Sequence, residues 1–325
     1  MKTMKWLIRR EFWEHKGSFF WAPLIVAAIM SIFIAATLGF GVSAEGIRGT
    51  YSINGSQGSF GALAEHVSDE QKAQLVGIMS NGYLFISAPI FLMLGFIGFF
   101  YCLSSLYDER RDRSILFWKS LPVSDSMTVL SKVSMAAAVA PLITIAVAIA
   151  TSVLLLLMFC SALALKGVNV FGMVFSAPAL YLAPLQMVAL LPVYLLWALP
   201  TIGWLMMVSS WARSKVFLWA VGVPGLSVAL LVWAENMFHF NLNIGWYLHN
   251  VIARGLLGMI PGAWIPMAGI EKEQLLSHGQ RGIDMASIFT QSWATLASPG
   301  VWIGVGAGAA MIAVAIRMRR WREEG

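Results

Sequence analysis

Charged residues are scarce in this chain of 325 residues. Asp, Glu, Lys and Arg make up only 12% of it, while 58% of the residues are hydrophobic and the mean hydropathy is +0.74. A soluble globular chain carries about 25% charged residues, so the composition excludes a soluble domain. We predict an integral membrane protein, for which lipid is the main solvent.

Residue patterns that carry catalysis or bind metal are also lacking. The two cysteines, Cys102 and Cys160, both fall in apolar runs, where they are expected to be small buried hydrophobic residues. The five histidines are scattered without an HExxH motif. A phosphate-binding loop (Gly-x-x-x-x-Gly-Lys-Ser/Thr) and a Gly-x-Ser-x-Gly nucleophile motif are both absent from the sequence. We therefore predict that the chain is not an enzyme and holds no cofactor or metal.

Six apolar runs are long enough to cross about 30 Å of hydrocarbon. Backbone polar groups must be satisfied internally in lipid, and these runs lack the alternation of barrel strands. The predicted fold is thus an all-α integral membrane protein, with a single transmembrane domain over residues 1–325 and six transmembrane helices. The predicted spans are residues 19–41, 83–106, 133–163, 185–210, 216–233 and 301–316.

None of these six runs contains Asp, Glu, His, Lys or Arg. Proton- and ion-driven transporters carry such residues at membrane depth, whereas the polar residues here are Ser and Thr, which more often bond to their own helix or join helices together. A built-in proton relay is not indicated. If the protein transports something, its energy is expected to come from elsewhere.

The distribution of basic residues predicts the orientation. With the N-terminus inside, the inside segments hold 16 of the 22 Lys and Arg residues. The positive-inside rule then places both termini in the cytoplasm. We expect the chain in the inner (cytoplasmic) membrane of a cell. The positive charge faces anionic headgroups along one membrane face, so it does not indicate nucleic-acid binding.

The segment before the first span combines aromatic and basic residues. Trp6 and Trp13 share one face of a helical wheel, and Arg9 and Arg10 lie between them in the sequence. This pattern favours an N-terminal helix in the membrane interface; a solvated tail is the alternative. The first run is longer than the apolar part of a signal peptide and five more spans follow, so cleavage after it is not expected.

A charged island separates the second and third spans, within the loop 107–132. A short apolar helix, Ile115 to Lys119, is expected to end at Leu121, because a residue before Pro disfavours the α conformation. It would present an apolar ridge to a soluble partner, with charges setting the register. Alternatively, its aromatic residues lie in the headgroup layer. The candidate contact residues are Glu109, Arg110, Arg113, Phe117, Trp118, Leu121 and Pro122.

Two long segments are predicted outside, at 42–82 and 234–300. The first is expected to be helical from Phe60 to about Met79. In the second, the apolar piece 251–270 contains Arg254 and several Pro and Gly residues, which argue against a seventh span and favour a re-entrant or surface element before the last span.

Glycines recur every four residues in the last span, at Gly300, Gly304 and Gly308. This spacing permits the close approach of a neighbouring helix, within the chain or across a dimer. Packing within the chain is the default interpretation.

Glu109-Arg110, the run Ile115-Leu116-Phe117-Trp118, Leu121-Pro122-Val123-Ser124 and Lys132 together resemble the type-2 exporter permeases of ATP-binding-cassette (ABC) transporters. The basic N-terminal segment is similar to that family's interfacial connecting helix. The resemblance implies six transmembrane helices and a second permease subunit, identical or related. It also implies two ABC ATPase subunits that dock on the loop 107–132 and carry the ATP and Mg.

The sequence thus predicts the permease subunit of an ATP-driven exporter, with an unidentified substrate. A membrane scaffold or sensor that recruits a cytosolic partner through the same loop is the alternative. A membrane-embedded enzyme is a third possibility, and the absence of charged residues in the predicted spans counts against it.

Overall fold

The computed structural model describes residues 2–43, 50–53, 56–59, 69–120, 122–239, 243–275 and 284–321, and these residues are almost entirely helical. Within them, six helical stretches are long and apolar enough to cross a membrane, which confirms the prediction of a helical multi-pass membrane protein. The six stretches are Gly17–Phe40, Glu70–Arg111, Asp125–Leu165, Pro178–Trp211, Val216–Phe238 and Pro299–Trp321.

The first half of the chain contains three spans and a charged connection. A π-helical turn, Gly17–Trp21, precedes the helix that begins at Ala22, and a 3₁₀ turn, Tyr83–Ser87, precedes the helix that begins at Ala88. A second π-helical turn, Met135–Val139, precedes the helix that begins at Ala140. The elements are α1 (Lys2–Glu14), α2 (Ala22–Ser43), the antiparallel hairpin β1 (Thr50–Ile53) and β2 (Ser56–Ser59), α3 (Asp69–Gly82), α4 (Ala88–Arg111), α5 (Ser114–Ser120), α6 (Asp125–Ser134) and α7 (Ala140–Leu165).

The second half contains the other three spans and a run of short helices before the last one. Its elements are α8 (Phe171–Ser176), α9 (Pro178–Ala189), α10 (Leu191–Trp211), α11 (Val216–Phe238), α12 (Ile244–Tyr247), α13 (Arg254–Leu257), α14 (Trp264–Met267), α15 (Lys272–Leu275), α16 (Met285–Ala294) and α17 (Pro299–Trp321).

Helix starts follow from local chemistry. Proline begins α9 and α17, which follow extended residues, so its missing N–H has no partner to lose and its fixed φ suits the helix. Proline also stands at the second position of α4, α7 and α10, each of which continues from a preceding helical stretch. Ser124 caps α6 by accepting a hydrogen bond from the backbone N–H of Met127 (3.3 Å). Pro122, two residues earlier, separates α6 from α5.

The helix α10 lies at the centre of the bundle. Its sides are largely buried, and it packs along α17 and against α4. By contrast, α2 and α11 expose most of their apolar side chains, including Phe33, Leu226 and Trp233, as expected of helices that face lipid. Cys102 and Cys160 are buried and unpaired, in agreement with the sequence-based expectation.

The apolar piece 251–270 forms short helices and turns, and its described residues contain no seventh span. It packs into the bundle between α4, α10 and α17. Thr201 Oγ1 donates to the Arg254 carbonyl (2.7 Å), and Tyr194 Oη donates to the Met259 carbonyl (3.1 Å). The Met259 side chain lies against Gly98, roughly 15 Å along α4 from its start.

In the first long connection, the described helix α3 begins at Asp69, and residues 60–68, where the predicted helix was expected to start, lie outside the described part of the chain. The hairpin before it was not anticipated. Its register pairs Thr50 with Ser59 and Ile53 with Ser56.

Both terminal helices meet the same end of the bundle. The helix α1 packs against α6, and the end of α17 packs against α6 from another side. The loop between α4 and α6 lies at this end too. We call it the basic end; Arg254 lies at the opposite end of α17, about 22 Å from Arg319 along the helix axis.

Candidate functional site

A buried cluster of charged side chains joins four helices at the basic end. Glu109, at the end of α4, pairs with Arg319 of α17 and lies with its Oε1 3.2 Å from Lys132 Nζ of α6. Lys132 Nζ also donates to both carboxylate oxygens of Glu11 on α1, each at 3.1 Å. Arg319 Nε donates to Asp125 Oδ1 at 3.1 Å. We call these five residues the charge cluster.

Burial makes the charge cluster costly to disrupt. The side chains of Glu11, Lys132 and Arg319 are at most 3% exposed, and Glu109 is 9% exposed. The charge cluster contains three carboxylates and two cations. Arg10, whose Nη2 is 4.0 Å from Glu11 Oε1, supplies a third cation. Removing one partner from a buried ion pair typically costs about 3–5 kcal/mol, because the other charge stays desolvated.

Two further contacts connect α1 and α5 with the charge cluster. Tyr101 Oη donates to Glu11 Oε2 (3.0 Å) from the middle of α4. The Arg10 guanidinium lies 3.3 Å from the centroid of the Trp118 ring on α5. Such cation–π contacts contribute about 0.5–2 kcal/mol. The short helix α5 is therefore attached to α1, which is itself attached to the spans through Glu11.

Arg110 stabilises the ends of two spans. Its Nη2 donates to the carbonyls of Ser209 (2.7 Å) and Ala212 (2.9 Å), where α10 ends. The Ser209 hydroxyl in turn accepts from the backbone N–H groups of Leu106 (3.1 Å) and Tyr107 (3.0 Å). The ends of α4 and α10 are thus joined as one rigid unit.

The predicted contact residues of the loop separate into two groups. Glu109 and Arg110 are buried inside the bundle, so neither presents its charge to a partner. Arg113 and Pro122 are exposed, and Arg113 adopts a left-handed conformation (φ 55°) that turns the chain from α4 into α5. Trp118 is half-buried against Arg10. Leu121 and the side chain of Phe117 lie outside the described part of the chain.

The predicted N-terminal helix is present as α1. Trp6, Arg9 and Trp13 are exposed, while Arg10 turns toward the charge cluster and Trp118. The opposite side of α1 is buried, with Glu11 only 1% exposed. A solvated tail is therefore incompatible with its packing.

The three glycines of α17 have different neighbours. A Cβ on Gly308 would come 2.7 Å from the backbone of Leu199, and a Cβ on Gly203 would come 2.5 Å from the Gly308 carbonyl, so α10 and α17 touch backbone to backbone within the chain. The Cβ position of Gly304 is filled by the Arg254 guanidinium. A Cβ on Gly300 would make only an ordinary contact, with Ser298 Oγ at 3.5 Å, and the Gly300 carbonyl accepts from Arg254 Nη1.

Sequence reasoning missed five residues. Glu11 is a partner of Lys132, Arg319 is a partner of Glu109, and Asp125 is a partner of Arg319. Arg10 is the partner of Trp118, and Arg254 is a buried cation. The available signal was the position of Arg319 shortly after a predicted span. That position has another ordinary explanation, namely contact with lipid headgroups.

A group of three side chains beside the charge cluster carries atoms of the kind that bind metals. Glu11, Glu14 and His15 bring ligand-type atoms within 4.8 Å of one another. However, Lys132 already neutralises Glu11, and Arg10 pairs with Glu14 at 3.2 Å. Ion pairing therefore accounts for this group.

Comparison with protein-family models, with curated proteins and with solved structures finds no match for this chain.

Proposed function

We propose that this chain is the membrane-spanning permease subunit of an ATP-driven ABC exporter. In this proposal two ABC ATPase subunits bind ATP and Mg, and a second permease subunit, identical or related, completes the transporter. The observation that carries the proposal is the attachment of the short helix α5 to the ends of the spans through Trp118, Arg10 and the charge cluster.

Because of this attachment, a movement of α5 is transmitted to the spans. A soluble partner that displaces α5 also displaces Arg10 and α1, because the Trp118 ring and the Arg10 guanidinium are in contact. Displacing α1 in turn moves Glu11 against Lys132 and Glu109. Since buried ion pairs resist separation, the displacement reaches α4, α6 and α17 together.

The orientation in this proposal follows the positive-inside rule. The basic end holds α1, α5 and the end of α17, and it faces the cytoplasm, where ATP is available. Both chain termini are then cytoplasmic, and the membrane is the cell's inner (cytoplasmic) membrane. The exposed side chains of Trp6 and Trp13 support a position of α1 at the level of the lipid headgroups.

The apolar piece 251–270 is then a re-entrant element on the external side. It reaches Gly98 within the bundle, and its turn contains Gly262, whose φ of 86° is readily adopted by glycine. Irregular backbone is tolerated at membrane depth where protein surrounds it, and the hydrogen bonds to Arg254 and Met259 meet that condition.

The test is purification of the chain in mild detergent from its own cells, followed by mass spectrometry and an assay of vanadate-sensitive ATP hydrolysis. We expect a chain with a phosphate-binding loop to co-purify. Docking and coupling are then separated by two variants. Arg113→Glu, on the exposed turn before α5, is expected to abolish co-purification; Glu109→Gln, in the buried cluster, is expected to preserve co-purification and to change the ATPase rate.

Arg213→Glu is the matched control, because it reverses an exposed charge at the same end of the bundle but lies outside the loop. It should leave both readouts unchanged. The exporter proposal fails if no ATPase chain co-purifies with the protein. It also fails if the rate of ATP hydrolysis is the same in wild type, Arg113→Glu and Glu109→Gln. The scaffold or sensor then becomes the better explanation.

A further inference from the structure

Arg254 is a buried cation without an acidic partner in the described part of the chain. Its exposed fraction is 8%. Nη1 donates to the Gly300 carbonyl (2.6 Å) and Nη2 to the Val301 carbonyl (2.8 Å), and the guanidinium lies 4.6 Å from the Trp197 ring centroid. An arginine carries five N–H groups, so these bonds use two of them. Nε is buried and has no acceptor among the described residues.

The surroundings of Arg254 do not neutralise its charge. Carbonyl oxygens supply only partial charge, and the helix α17 begins at Pro299, so its positive dipole end is adjacent. Burial lowers the pKa of the Arg254 guanidinium by desolvation, yet arginine remains protonated at any physiological pH. Buried charges in proteins are normally paired, and this position therefore favours an anion.

An apolar groove of 450 Å³ starts at Arg254 and runs between α10, α11 and α17. Trp204 and Val223 form two of its walls. On α17 its floor is Ile303, Ala307 and Met311, a stripe with a spacing of four residues that extends for about 12 Å. Ile303 is 73% exposed, so the groove is open to the surface that faces lipid.

The other side of Arg254 is polar. A second cavity, of 460 Å³, is lined by Arg254 together with Gln274, Gln291 and Ser298. One cation thus stands between a polar cavity and an apolar groove. This is the pattern that an amphiphile with an acidic head requires, because its head and its chain need opposite surroundings.

We propose that this groove binds an anionic phospholipid from the membrane, with its phosphate at Arg254 and one acyl chain along the stripe on α17. A soluble anion would gain nothing from the apolar walls. A zwitterionic lipid carries an ammonium group beside its phosphate, and the positive charge of Arg254 repels that group. The inference stands apart from the exporter proposal, since it concerns the chain alone.

The experiment is native mass spectrometry of the purified full-length chain, titrated with phosphatidylglycerol or with phosphatidylcholine of the same acyl chains. We expect wild type to prefer phosphatidylglycerol by about tenfold or more, the ratio typical of one hydrogen-bonded charge. Arg254→Gln should remove the preference, and Arg254→Lys should retain most of it. Equal affinity of wild type for the two lipids, or an unchanged preference in Arg254→Gln, would overturn the proposal.

The apolar half is tested by Ala307→Trp, which fills the groove and leaves Arg254 in place. It should weaken the binding of both lipids by about tenfold, whereas Ala309→Trp, exposed on another side of α17, should not. Unchanged lipid binding in Ala307→Trp refutes the groove, even if Arg254→Gln fails to fold. The ATPase readouts play no part in this test, so its failure leaves the exporter proposal intact.

Discussion

Replacing Lys132 by Met tests whether the charge cluster stabilises the bundle. Lys132 Nζ is 3.1 Å from both oxygens of Glu11 and 3.2 Å from Glu109 Oε1, and its side chain is 3% exposed. Methionine keeps the length of the apolar stem and removes the charge. Glu11 then retains only the Tyr101 hydroxyl and the more distant Arg10. We expect a loss of about 3 kcal/mol, the low end of the range for breaking a buried pair.

The assay is thermal unfolding in detergent, followed by tryptophan fluorescence. A loss of about 3 kcal/mol corresponds to a melting temperature lower by roughly 6 °C. Lys5→Met is the matched control: it removes an exposed lysine of α1 and should shift the midpoint by less than about 1 °C. The double variant Glu11→Gln/Lys132→Met removes both charges and should recover about half of the loss.

Two outcomes would refute this reasoning. If Lys132→Met and Lys5→Met have the same melting temperature, the charge cluster does not stabilise the fold. If the double variant is as unstable as Lys132→Met alone, the loss comes from altered packing and not from an uncompensated carboxylate at Glu11.

The remaining predictions concern packing and orientation. Gly308→Ala places a methyl group 2.7 Å from the Leu199 backbone and should cost about 1–3 kcal/mol, whereas Gly306→Ala, with nothing within 4 Å of its Cβ, should be neutral or stabilising in the same melting assay. Ser298 and Pro122 are both exposed, and the proposed orientation puts them on opposite sides of the membrane. Ser298→Cys should therefore react with a membrane-impermeant maleimide on intact cells, and Pro122→Cys only after permeabilisation. Both native cysteines are buried, so they should contribute little background labelling. The reverse labelling pattern would contradict the orientation derived from basic residues.

The spans could be predicted because lipid imposes a local rule. Any run of about 20 apolar residues must form a helix there, and the run 216–233 is recovered within Val216–Phe238. Boundaries differed where a helix continues past the apolar run, as α4 does to Arg111. The turn chemistry at Pro122 likewise indicated the end of α5 from sequence alone.

The burial of Glu109 could not be predicted in the same way. Its partner Arg319 lies 210 residues away in the sequence. Its other partner, Lys132, also binds Glu11, which lies 121 residues from Lys132. A charge beside an apolar run has the same local pattern whether it faces headgroups or an ion pair. Only the packing of α1, α6 and α17 around the end of α4 distinguishes the two.

Arg254 illustrates the same limit at the other end of the bundle. Its sequence neighbours indicated that the piece 251–270 is not a span, which is how the structure has it. They gave no sign that the side chain fills the space left by Gly304. The glycine spacing of α17 predicted close packing but not that one of its positions receives a guanidinium.

The charge cluster also has a consequence for the order in which the protein is assembled in the membrane. Glu11 and Glu109 emerge early during synthesis, whereas Arg319 lies at the end of the last span. Until α17 is inserted, Glu109 lacks one of its two cations and Asp125 lacks its partner. Completion of the cluster therefore coincides with completion of the bundle, and in a chain without α17 the three carboxylates have one cation fewer.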